Sequence, residues 1–197
     1  MPDIILASGS ASRRALLSGA GVQAESVKPL VDEETARASF RAHAMPVNEQ
    51  AMNLAEMKSV IVSSARPGLV IGGDQMLNLE GTPFDKPEGM DGARAHLKAM
   101  SGKMHILETA VVVSENGAPI WRFLARPKLT MRELSDEFIE NYLADAGEDI
   151  LNTVGAYQLE GLGSQLFSKI EGDYFSILGL PLLPLLDYFR TRGVLKS

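Results

Sequence analysis

Apolar and polar positions alternate along this chain in two periods, and the switches between them outline an α/β protein. Short apolar or alternating runs at Ile4–Ala7, Ala24–Lys28, Leu69–Gly72, Ile106–Ser114 and Ile120–Thr130 predict strands. Between Val111–Ser114 and Ile120–Leu124 lies Asn116-Gly117, whose residues suit the left-handed turn of a two-residue hairpin. Helical spacing predicts Ala11–Ala20, closing on Gly21, and Glu49–Ser64 with Asn48 as N-cap, stopped by Arg66-Pro67-Gly68. Further helices are expected at Gly92–Ala99, at Asp136–Ala144 behind the cap Ser135, at Ser164–Ser168, and at Leu182–Arg192 between Pro181 and Gly193. Helices and strands mix throughout, and the hairpin adds antiparallel pairing, so the expected sheet is mixed, with helices flanking it. Element order suggests two lobes around a cleft, the first built by both chain ends and the second by the middle.

Composition narrows the class. The 197 residues suffice for one sizeable core, and 45% hydrophobic with 22% charged residues is ordinary for a globular protein. A net charge of −6 argues against a duplex nucleic-acid partner, which needs a basic face, but leaves room for a local basic pocket around a small polyanion. There is no cysteine, so thiolate metal sites and a cysteine nucleophile are excluded. The apolar run after Met1-Pro2-Asp3 is too short for a secretory signal, and Ile177–Leu186 carries Pro181 and Pro184 and is too short to span a bilayer. The expectation is a cytoplasmic protein that does not engage membranes.

Candidate chemistry concentrates at the first predicted turn. Ser8-Gly9-Ser10-Ala11-Ser12-Arg13-Arg14 places three hydroxyls, the free N–H groups of a helix start and two guanidinium groups around one spot. Helix N-termini attract anions and arginine forks match phosphate oxygens. A helix merely capped by Ser10 or Ser12, with two solvated arginines, fits the same letters. No Gly-Lys-Ser/Thr follows, so this is not a Walker loop. Val70-Ile71-Gly72-Gly73-Asp74-Gln75 sets a carboxylate where an apolar run meets two glycines, suited to metal binding or to taking a proton from water, or equally to a turn. Val31-Asp32-Glu33-Glu34 is an acidic cluster in an expected loop, a cation site or a solvated helix start. Lys58 shares a helix face with Leu54, which fits either a cleft-facing or a solvated lysine, and Lys86 sits in a proline-stiffened loop, as a site residue or an exposed loop lysine. Gly155 to Gly163 is glycine-rich without dinucleotide-binding spacing; it fits a base pocket in which Glu160 accepts hydrogen bonds, or equally a structural turn. The three histidines lack metal-ligand spacing.

In their order these pieces resemble the Maf family of nucleotide pyrophosphatases. The match runs over most of the chain: Leu6-Ala7-Ser8-Gly9-Ser10 with Arg13-Arg14, Asp32-Glu33, Leu54-Ala55 with Lys58, Gly73-Asp74-Gln75, and Lys86-Pro87. It continues through Thr109-Ala110-Val111, Gly155-Ala156-Tyr157 with Glu160-Gly161-Leu162-Gly163, Ile170 to Tyr174, and Gly179-Leu180-Pro181. The resemblance implies one Maf-like domain over residues 1–197, with an α/β fold similar to the inosine-triphosphate pyrophosphatases. It implies hydrolysis of a nucleoside triphosphate to monophosphate and pyrophosphate with Mg²⁺ or Mn²⁺, in a cytoplasmic and often homodimeric protein. Carried over by position, Asp74 is the proton acceptor and, with Glu33, the metal-binding pair. Ser8, Ser10, Arg13, Arg14, Glu33, Lys58 and Lys86 bind substrate. Ser12, Gln75 and Glu160 govern specificity. The extra residue before the arginine pair, Gln75 and Glu160 resemble the 7-methyl-GTP branch, whereas Ala11 replaces the usual proline and Ser12 the aromatic found there. The alternatives are a dTTP/UTP-type or broad-specificity enzyme, and a non-hydrolytic nucleotide-binding regulator of cell division.

Overall fold

The computed structural model describes residues 3–196. Its elements run β1 (Ile4–Ala7), α1 (Ala11–Gly19), β2 (Glu25–Ser26), α2 (Glu33–Ala42), α3 (Val47–Ser63), β3 (Leu69–Leu79), β4 (Thr82–Phe84) and α4 (Gly89–Met100). Then follow β5 (Met104–Glu115), β6 (Ala118–Ala125), β7 (Lys128–Met131), α5 (Asp136–Ala146), β8 (Phe167–Glu171), α6 (Tyr174–Ile177) and α7 (Leu182–Thr191). Two 3₁₀ turns, Glu148–Asn152 and Leu162–Leu166, sit between α5 and β8. The strands hydrogen-bond in the order β2-β1-β3-β5-β7-β8, with β4 on β3 and β6 on β5. Pairing is parallel for β1 with β2 and β3, and antiparallel for β3/β4, β5/β6, β5/β7 and β7/β8, the mixed sheet expected from the sequence.

The chain divides into two compact units, and the long strands β3 and β5 contribute to both. The first comprises residues 1–75, 109–125 and 173–197; the second comprises 76–108 and 126–172. Both chain ends thus build one unit and the middle the other, as element order suggested.

In the first unit the strands bury both faces. Leu6, Leu69, Ile71, Val111 and Val113 point to a core filled by Leu17 of α1 and by Leu182, Leu185 and Phe189 of α7. Trp121 and Tyr188 stack at its rim with centroids 4.8 Å apart. The alternate positions Ile5, Ala7 and Val70 face Val62 of α3. Burying strands on both sides explains their near-continuous apolar runs. α3 approaches β3 closely because Gly72 has no side chain: a Cβ there would stand 2.1 Å from the Ala55 carbonyl oxygen.

The second unit packs α4 against α5 and the first 3₁₀ turn. At its centre His105 Nε2 and the Tyr157 hydroxyl lie 2.8 Å apart, with Phe167 against both rings. Burial pulls His105 down to about 4.

Several local expectations change. β3 does not stop at Gly72 but runs to Leu79, so Asp74 lies mid-strand and not in a turn. The expected strand Ile120–Thr130 is two strands, parted at Arg126-Pro127, where proline has no N–H for a ladder. α3 begins at Val47 behind Pro46 and not at an Asn48 cap; the Pro46 carbonyl accepts from the N–H groups of Glu49 and Gln50. The acidic cluster, expected in a loop, opens α2, with Asp32 as N-cap accepting from Thr35 N–H at 3.0 Å. The expected helix Ser164–Ser168 is a 3₁₀ turn running into β8, and the expected strand Ala24–Lys28 shortens to the two residues of β2.

Candidate active site

The first unit gathers most of the candidate residues, from four elements. At the β1–α1 turn Ser10 caps α1, its Oγ accepting from Arg13 N–H at 3.3 Å. The buried Ser8 Oγ accepts from Ser10 N–H at 3.1 Å and from Arg13 Nη1 at 3.2 Å. Arg13 Nε donates to the Gly179 carbonyl at 2.7 Å, and its side chain lies across Gly73, where a Cβ would stand 3.0 Å from Nε. The helix start is capped as one reading expected, but Arg13 is not solvated: it is held inward beside the strand that carries Asp74. Burial pulls Arg13 below its usual value, while the charges of Asp74 and Glu33 work against that shift. Arg14 projects from α1 as an exposed side chain, and Ser12 is half-buried on the same helix.

Asp74 is 4% exposed and Lys58 8%, a buried ion pair. Lys58 Nζ donates to Asp74 Oδ1 at 2.7 Å and lies 2.8 Å from Glu33 Oε1, so one ammonium bridges both carboxylates. Arg37, one helical turn beyond Glu33, sets Nη2 at 3.6 Å from Glu33 Oε2 and 4.0 Å from Asp74 Oδ2. Burial would raise the Glu33 carboxyl, but Lys58 and then Arg37 outweigh it and hold the group below the ordinary carboxylate range. The two acids are met by Lys58 and Arg37, with the charge of Arg13 close by, as buried charges require. Arg37 is the residue that sequence reasoning missed. Its signal was the Glu33-to-Arg37 spacing of four, visible only once residues 33–42 are read as a helix.

Asp74 Oδ2 is buried without a hydrogen-bond partner. A carboxylate oxygen left so is costly unless something else takes it up. The donor set fits a hard divalent cation: a free oxygen on Asp74 and a second carboxylate on Glu33. Among the described residues no cluster of three or more His, Cys, Asp or Glu side chains gathers. Two carboxylates with substrate phosphates and water completing the shell is the habit of Mg²⁺.

Gln75, next along β3, spends its amide nitrogen on Thr109 Oγ1 and the Ser176 carbonyl, both at 2.9 Å, and on the Ile177 carbonyl at 3.1 Å. It thereby fastens the α6 turn whose next residues lead to Gly179, the acceptor of Arg13. Lys86 and Glu160 belong to the second unit, where both are exposed, Lys86 between β4 and α4 and Glu160 just before the second 3₁₀ turn. No helix among the described residues is long and apolar enough to cross a membrane.

The Maf-like protein family matches residues 3–192. A nucleoside triphosphate pyrophosphatase of Hyphomonas neptunium is 64% identical over 194 residues, covering 98% of each chain. One of the same name from Rhodospirillum rubrum is 51% identical, over all of this chain and 98% of its own. A relative in Mesorhizobium japonicum named 7-methyl-GTP pyrophosphatase is 49% identical over 98% of both.

Proposed function

Because this chain belongs to the Maf family, we propose that it is a nucleoside triphosphate pyrophosphatase that cleaves between the α- and β-phosphates, with 7-methyl-GTP as its preferred substrate. The buried, unpartnered Asp74 Oδ2 beside cationic Lys58, Arg37 and Arg13 is the observation that carries the reaction. A carboxylate so placed takes a proton from water, and the cations around it bind polyphosphate.

In this reading Ser8, Ser10 and the free N–H groups at the start of α1 receive phosphate oxygens, and Arg13 adds a guanidinium fixed by Gly179 and Ser8. Lys58 keeps Asp74 oriented through Oδ1, leaving Oδ2 to orient a water and accept its proton as the water attacks the α-phosphorus in line. The bond to the bridging oxygen breaks and pyrophosphate leaves; charge accumulating on it is met by arginine and lysine. Asp74 and Glu33 are the residues that would hold Mg²⁺ or Mn²⁺, which when bound neutralises phosphate charge and acidifies water. Arg14 and Lys86 are assigned to the phosphates by their place in the family pattern.

The base preference rests on Gln75 and Glu160 and on the name of the Mesorhizobium relative. A carboxylate at Glu160 suits a cationic methylated guanine and accepts from ring N–H groups. The test supplies wild type and Asp74→Asn with Mg²⁺ or Mn²⁺ and a panel of triphosphates, assaying pyrophosphate and phosphate separately. Wild type is expected to release pyrophosphate, fastest from 7-methyl-GTP, and Asp74→Asn to lose about 10²–10⁴-fold. Phosphate without pyrophosphate would refute the cleavage site; a UTP, dTTP or CTP preference would refute the base assignment.

A further inference from the structure

Arg37 brings its charge to the two carboxylates before any phosphate is present. Each carboxylate of the pair gives one oxygen to Lys58, at 2.7 Å for Asp74 and 2.8 Å for Glu33. The remaining oxygens, Asp74 Oδ2 and Glu33 Oε2, face the Arg37 guanidinium at 4.0 and 3.6 Å. These separations exceed hydrogen-bond length, so the guanidinium supplies charge to Asp74 Oδ2 without occupying it. With Arg37 in place, the two acids face Lys58 and Arg37, with the charge of Arg13 close by; without it, one of these cations is lost.

We propose that Arg37 is a resident counter-cation that competes with divalent metal for the Asp74–Glu33 pair, so that the protein holds metal weakly until a triphosphate arrives with it. This rests on the metal-assisted reading given above. Metal–oxygen bonds span about 2.0–2.6 Å, so a cation on Asp74 Oδ2 falls in the interval the guanidinium now spans, and like charges only a few ångströms apart repel strongly in a buried site. Arg37 has to turn away when metal enters. Its side chain is 21% exposed, and α2 is anchored through its Asp32 cap whatever the guanidinium does. A triphosphate escorting the metal removes the conflict by bringing negative charge for both cations. Lys58 cannot play this part, because its ammonium lies on the opposite oxygens and is buried.

The experiment titrates Mn²⁺ into nucleotide-free protein, counting free Mn²⁺ by electron paramagnetic resonance. Wild type, Arg37→Met, Arg37→Gln and Arg37→Lys are compared, and circular dichroism reports folding. Removing the charge is expected to tighten Mn²⁺ binding by about tenfold or more in the Met and Gln variants, while Lys stays near wild type. Adding Asp74→Asn to Arg37→Met should abolish the gain. Unchanged Mn²⁺ affinity in both neutral variants, or a gain that survives Asp74→Asn, overturns the proposal. Pyrophosphate release by wild type is measured alongside: its absence would sink the reaction while the Mn²⁺ comparison still decides the role of Arg37.

Discussion

Replacing Gly72 with alanine tests how the fold builds the site. The new Cβ would stand 2.1 Å from the Ala55 carbonyl oxygen, 2.7 Å from Ser59 N and 2.8 Å from Ser59 Cβ. Relief to ordinary contact at 3.4 Å requires α3 to retreat by about 1.3 Å, and the obstacle is helix backbone, which moves as a body. Overpacking of this kind costs about 3 kcal/mol, and in a protein of this size each kcal/mol lowers Tm by about 2–4 °C. The expected drop is therefore about 6–12 °C. Lys58 stands between Ala55 and Ser59 on α3, so the same retreat stretches its 2.7 Å bond to Asp74. Displacement of about 1 Å at a reacting site can cost about 10²-fold, and kcat should fall by that order. Gly73→Ala is the companion: the three atoms nearest its Cβ all belong to the Arg13 side chain, the first being Nε, 3.0 Å away. Arg13 yields more readily than a helix, so stability should fall by less than about 1 kcal/mol while activity drops as Arg13 leaves Gly179. Calorimetry and pyrophosphate assay of both variants decide it. A Gly72→Ala protein with wild-type Tm and kcat would refute the close approach of α3.

Gln75 offers a second test, because its amide nitrogen faces the carbonyls of Ser176 and Ile177. Gln75→Glu sets a carboxylate against them and should destabilise by about 1–3 kcal/mol, more than Gln75→Ala, with KM rising as the α6 turn and Arg13 loosen; equal urea midpoints for the two variants would contradict this. His105 governs an acid limb: burial lowers it from 6.5 to about 4, so between those values the unfolded chain binds the extra proton. Stability should then fall by about 3 kcal/mol as pH drops from 6.5 to 4, and urea unfolding of a His105→Leu/Tyr157→Phe double variant should show a flatter limb. An unaltered slope would remove His105 as the cause.

Where local chemistry alone decides conformation, the sequence was readable. Asn116 and Gly117 take φ of +52° and +77°, as the two-residue hairpin requires. Ser135 caps α5 through Phe138 N–H at 3.1 Å. Where a tertiary contact decides, it was not. Two glycines at 72 and 73 look like a turn, yet they serve a strand that needs bare backbone for α3 on one side and Arg13 on the other. The acidic run at 32–34 looks solvated, and Asp32 and Glu34 are indeed exposed. Only Glu33 turns inward, because α2 sets it beside a lysine sixteen residues before Asp74 in the chain. Pro127 ended a strand that the alternating positions on either side would have continued, and Gly172 packs so closely on it that a Cβ would lie 2.8 Å from the proline Cβ.

The mid-strand position of Asp74 has a mechanistic consequence. A carboxylate in a flexible turn would relax toward water and satisfy both oxygens there. Held by a strand, with Gly72 under α3 and Gly73 under Arg13, it has no such freedom, and Lys58 satisfies one oxygen only. The fold thereby carries a standing electrostatic deficit at Oδ2, offset by Arg37 at a distance. In the proposed reaction that deficit is what makes Asp74 serve: an acceptor already oriented and desolvated, whose cost was met on folding and is not charged again at each turnover.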